Sequence, residues 1–304
     1  MVEQRGPTGP RWMGLAALAG AAAIWASTFV VIKGVLVDVG PMALAALRFL
    51  VALVVLLPLA WRAGYRLRDS LHLDFLAYGL TGVALFFGLQ NVGLQFTTAG
   101  SAALLVALVP ALTAGLARAV LGEALPGIRL LGVGAAVVGG AVVVASGAEL
   151  GGGQAWLGNL LIIGAVVSWS VYTVQGRRVA DAHSAVVAAT GGIVAGLGLL
   201  LPAALIEAAV IGLPVLSVSA LSAILYLGLV ASALALLLWN AGVGRVDAAV
   251  AGATLNLVPV MGLGFAVAVG EAVSGVQLAG GALVVAGVVL ATRDHRRVPA
   301  SAAR

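Results

Sequence analysis

The chain has 304 residues, 62% of them hydrophobic and only 9% charged, with a net charge of +5. Its mean hydropathy of +1.16 is more than one soluble core of this length hides, which excludes a water-soluble globular protein. Cysteine is absent, which removes disulfides, thiolate metal sites and cysteine catalysis. After a basic tail (1–13), the apolar stretch 14–35 is too long for a signal-peptide core and reads as a retained helix. Further stretches long enough to cross hydrocarbon follow at 42–60, 75–94, 99–120 and 128–146. Five more come at 156–175, 185–206, 219–242, 248–269 and 276–292, before a second basic tail (293–304). The longest polar stretches are the two tails and the loop 61–74, which leaves no room for a soluble domain.

Basic residues give the orientation. With the N-terminus inside, Arg5, Arg11, Arg62, Arg66, Arg68, Arg118, Arg129, Arg177, Arg178, Arg245, Arg293, Arg296, Arg297 and Arg304 all fall on the cytoplasmic side. Only Lys33 falls outside, and Arg48 lies within a span. This positive-inside bias places both termini in the cytoplasm. The high isoelectric point therefore reflects topology and anionic headgroups, and no nucleic-acid partner is expected.

The chain repeats itself. Trp25 and Pro58 pair with Trp169 and Pro202 at one separation, and Asn91, Gly93 and Pro110 with Asn240, Gly242 and Pro259 at a slightly longer one. The Gly122-Glu123 and Gly270-Glu271 pairs follow, with Gly132 matching Gly280 and Gly139 matching Gly287. Five spans per copy is an odd number, so the second copy enters the membrane upside down. The fold class is thus an all-α membrane protein of ten transmembrane helices in two inverted five-helix repeats (14–148 and 149–292). Inverted repeats build alternating-access transporters, with the substrate site at the repeat interface near the midplane.

Polar and aromatic residues near mid-span are the candidates for that site. The first span offers Trp25, Ser27 and Thr28, the third Gln90 and Asn91, the sixth Trp169 and Tyr172, and the ninth Asn256. The two tryptophans lie away from the interfacial belts where membrane tryptophans concentrate. Rings with hydroxyls and amides beside them suit an apolar pocket with a few orienting groups, although packing would use the same rings. Arg48 is the ionisable group deepest in a span, placed to meet a carboxylate or phosphate or else to reach the outer interface. Pro110 and Pro259 each remove a backbone hydrogen bond in corresponding helices, so they are candidate kinks in a pathway. Glycines at 132, 139, 140, 280 and 287 give the fifth and tenth spans smooth faces for close packing. All acidic residues fall in tails, loops or helix ends, and Glu123 and Glu271 suit helix capping better than proton carriage. No metal and no cofactor are expected.

The runs FTTAGSAALLVALVPALTAGLARAVLGEAL (96–125) and VDAAVAGATLNLVPVMGLGFAVAVGEAV (246–273) resemble the EamA repeat of the drug/metabolite transporter superfamily. WASTFVVIK (25–33) and RFLVALVVLLP (48–58) are similar to the start of the first repeat in that family. The resemblance covers essentially the whole chain and implies a ten-helix bundle in the bacterial inner membrane that moves small organic molecules, often outward. Its four-helix multidrug relatives use a glutamate in the first helix, and 21–31 here contain none. An exporter of amino acids or similar amphiphilic metabolites is the leading reading, with drug or toxin efflux next. An intramembrane enzyme is remote, because H-E-x-x-H, a nucleophile with its base and clustered aspartates are all missing. The partners are then a small-molecule substrate and the lipid bilayer, and nothing in the sequence requires more than one copy.

Overall fold

The computed structural model describes residues 10–122, 126–150, 153–243, 245–246 and 254–292. Glu123, most of both tails and the start of the ninth predicted span lie outside the described residues. Within them every regular element is a helix. These are α1 (Arg11–Val35), α2 (Pro41–Arg62), α3 (Leu73–Phe96), α4 (Ala99–Val120) and α5 (Gly127–Leu150), then α6 (Ala155–Ala182), α7 (Ala185–Ile211), α8 (Val218–Val243), α9 (Leu257–Ala268) and α10 (Gly275–Thr292). Nine of these are long and apolar enough to cross a membrane, and α9 is shorter within the described residues. The protein is a multi-pass membrane protein. Its helices are apolar nearly all round, as expected where lipid, not water, bathes the outer face.

Several helices run longer than the hydropathy predicts. α6 continues past residue 175 to Ala182, and α7 continues past residue 206 to Ile211. Pro58 and Pro202 both sit inside helices, at matching places in α2 and α7. Tryptophans divide by burial: Trp12, Trp61 and Trp156 are exposed at helix ends, while Trp25 and Trp169, both mid-helix, and Trp239, one turn before the end of α8, are half-buried. The first three are interfacial anchors.

Packing between the two sequence copies is reciprocal. α1 packs on α8 and α9, and α6 packs on α3 and α4; α2 lies along α7, and α5 along α10. The α5–α10 crossing uses the predicted glycines: a Cβ on Gly139 would lie 2.7 Å from the Gly280 carbonyl oxygen, and one on Gly287 2.7 Å from that of Gly132. Only bare backbone permits so close an approach.

Two departures from straight helix occur at matching positions in both copies. α3 and α8 each carry a π-helical stretch, Leu80–Leu85 and Tyr226–Leu234. The helical bonds of α4 break at residues 107–108, and those before α9 break at 255–256. Pro110 and Pro259 each stand in the first turn after such a break. A proline there displaces no helical hydrogen bond, because first-turn N–H groups have no partner within the helix. The interruption therefore lies just ahead of each proline instead of at a kink centred on it.

Candidate functional site

The π stretch of α8 collects side chains from α1 and α2. A π turn shifts the register, so some carbonyls leave the regular ladder and accept bonds from elsewhere. The Trp25 indole N–H donates to the Ala231 carbonyl at 3.1 Å, and its ring lies 5.5 Å from that of Trp239. Two residues along α1, Ser27 Oγ meets Tyr226 Oη at 2.6 Å while also reaching the Ile24 carbonyl. Thr28 is buried and donates to the Trp25 carbonyl at 2.6 Å, a local bond that stiffens the helix around the ring.

Arg48 lies next to this group and is 3% exposed. Its Nε and Nη2 both donate to Ser232 Oγ, at 3.2 and 3.0 Å, and its guanidinium lies 4.5 Å from the Phe87 ring centroid and 5.3 Å from that of Phe49. No carboxylate pairs with it among the described residues. Cation–π contact offsets part of the desolvation cost of a buried guanidinium, but a full counter-charge is missing.

From Phe87 a row of rings runs to α6. Phe87 meets Phe86 at 4.8 Å, Phe86 meets Trp169 at 4.6 Å, Trp169 meets Tyr172 at 4.7 Å, and Tyr172 stacks on Tyr78 at 4.0 Å. Gln90 shares the face of Phe86 one turn on; it is 3% exposed and its amide makes no hydrogen bond to a described residue. The first copy's π stretch is tied in as well. Ser168 Oγ donates to the Thr81 carbonyl at 2.8 Å, and Thr81 Oγ1 bonds Gln175 at 3.1 Å.

Residues 12–145 match the EamA-like transporter family, and residues 156–293 match it a second time. The chain belongs to the EamA-like transporter family. Among its relatives is a probable terminal-alkyne amino-acid exporter of Streptantibioticus cattleyicolor, 34% identical over 272 residues, covering 88% of this chain and 90% of that one. A probable amino-acid metabolite efflux pump of Salmonella typhimurium is 31% identical, with 88% and 90% covered. The uncharacterized transporter YyaM of Bacillus subtilis is 30% identical, with 83% and 84% covered. A protein of known crystal structure, 23% identical, superposes with a TM-score of 0.63 over 95% of this chain and all of its own, which supports the fold.

In this EamA-like protein a run of contacts through Phe87 and Phe86 links Arg48 to Trp169 and Tyr172, while Trp25 and Ser27 meet the same π stretch of α8 that holds Arg48. Asn91 points elsewhere: it is fully buried and donates to the Pro41 carbonyl at 3.0 Å, fastening α3 to the start of α2. Asn256 sits half-buried in the break before α9. Ser232 and Tyr226 were not legible as site residues, because they meet it through the π stretch of α8, and Trp239 just beyond that stretch joins by its ring contact with Trp25. Glu271 does cap a helix, but one in the other copy: its oxygens take the Ala99 and Gly100 N–H groups at 2.9 and 3.0 Å. Glu207 does the same for Met42 and Ala43 at the start of α2, at 3.1 and 2.9 Å. Lys33 donates to the Leu94 carbonyl at 3.2 Å and also to that of Thr97, close by Glu271.

Proposed function

We propose that this chain is an alternating-access exporter of amino acids or similar amphiphilic metabolites. It would sit in the cytoplasmic (inner) membrane, its ten spans forming two inverted five-span repeats with both termini in the cytoplasm. The family, the amino-acid exporters among its relatives and the reciprocal packing of the two copies support this reading. One observation carries the substrate class: a buried arginine, without a carboxylate partner among the described residues, at the end of a row of aromatic rings. Such a pairing suits a small molecule with an anionic end and an apolar body. Trp25, Ser27, Arg48, Gln90, Trp169 and Tyr172 would line the path, Thr28 and Asn91 would brace the helices around it, and Asn256 would border it. Helix breaks before Pro110 and Pro259 would let α4 and α9 bend as access alternates.

Transport in proteoliposomes tests this. Labelled amino acids and cationic dyes are screened with and without a pH gradient. Saturable amino-acid flux that Arg48→Gln abolishes is expected. Dye movement alone, driven by the gradient, would overturn the reading in favour of drug efflux.

A further inference from the structure

Ser232 stands out because its bonding is specific to the π geometry of α8. Its hydroxyl donates to the Leu227 carbonyl, five residues back, at 2.8 Å. In a regular α-helix a serine bonds back three or four residues instead. With its one hydrogen used there, the oxygen presents only lone pairs, and both Arg48 bonds arrive at it. The two backbones are also pressed together at this level: a Cβ on Gly228 would lie 2.7 Å from the Arg48 carbonyl oxygen.

We propose that Ser232 is a positioning residue for an anion-binding Arg48, holding one edge of the guanidinium so that the other is presented to a substrate carboxylate. Nε and Nη2 are taken by Ser232, while Nη1 makes no hydrogen bond to a described residue. The outer Nη1–Nη2 edge is the one that receives a carboxylate in two parallel bonds. Phe87 and Phe49 beside the guanidinium limit its rotation further.

The repeat supplies the control. Arg48 and Ser232 correspond to Gly192 and Val83 in the other copy, where α3 also carries a π stretch. There the two positions hold a glycine and a valine, and Val83 packs in a buried apolar cluster with Ile193 and Leu197 of α7. The π stretch of the first copy therefore forms without an arginine–serine pair, so the π geometry itself does not require one.

The inference rests on the anion-site reading of Arg48, and two readouts separate their failures. In protein labelled with ¹⁵N-arginine, with the Arg48 signal assigned by its loss in Arg48→Lys, hindered rotation of the guanidinium is expected, becoming free in Ser232→Ala. Ser232→Val, which installs the residue that the other copy tolerates, covers the case in which alanine unfolds the protein. For transport, labelled leucine is compared with leucinamide as competitor. Ser232→Ala is expected to raise KM for leucine about tenfold at similar Vmax, with Ser232→Thr restoring it. An Arg48 signal equally mobile in parent and variant overturns the positioning role. Unchanged leucine transport in Arg48→Gln overturns the anion site itself.

Discussion

The π stretches of α3 and α8 occupy corresponding places and use the same backbone device, yet they hold different chemistry. Each offers a carbonyl to the first helix of the other copy, Thr81 to Ser168 and Ala231 to Trp25. Around the first, the partners are neutral: Thr81, Gln175 and the Trp169–Tyr172–Tyr78 rings. Around the second lies the buried cation, with Ser232 and the Ser27–Tyr226 pair. The two copies thus carry the same backbone device, and the side chains around it differ: a buried cation beside one, the charged pole, and neutral and aromatic groups beside the other, the aromatic pole. A substrate unlike at its two ends needs that asymmetry, because identical poles would not orient it.

The comparison can be broken most severely at the charged pole. Arg48→Gln should lower Vmax/KM for a carboxylated substrate about 100-fold while leaving an uncharged analogue nearly unaffected, read as initial rates in proteoliposomes. Arg48→Lys should recover little of this, because an ammonium has no planar fork. At the aromatic pole, Trp169→Ala should raise KM about tenfold for substrates with large apolar side chains and much less for small ones, measured across a side-chain series. Equal losses for both would mean that the row of rings is packing only. Glu271→Gln and Glu207→Gln, which touch neither pole, should cost about 1 kcal/mol of stability each with KM preserved, read from thermal unfolding in detergent. The smallest effect belongs to the neutral π stretch: Ser168→Ala should change transport by less than about twofold, since it removes one neutral hydrogen bond.

Much of this was legible in the sequence, for physical reasons. Helices in lipid must be long and apolar, so hydropathy located nine of the spans, and the internal repeat, with its small shifts in separation, located the matching pairs Trp25/Trp169 and Pro110/Pro259. Arg48 announced itself by its cost within a span. The π stretches were not legible, because π geometry follows from how neighbouring helices seat against one another and leaves no composition mark. Ser232 was lost with them, one hydroxyl among many in an apolar run. Asn91 shows the opposite limit: its place among the polar mid-span residues was clear, but its bond to Pro41 depends on where α2 begins. Likewise Glu271 sits at a helix junction as its sequence position indicates, though the helix it caps lies in the other copy.

That last arrangement bears on how the two halves fold together. Every early N–H of α2 and α4 that needs a partner finds one, with the two carboxylates of the second copy taking Met42, Ala43, Ala99 and Gly100. A first copy separated from the second would begin two helices whose first amides lack these carboxylates, a loss of about 1 kcal/mol for each cap. The second half thus completes two helix ends of the first, so the two halves are expected to fold as one unit and not apart.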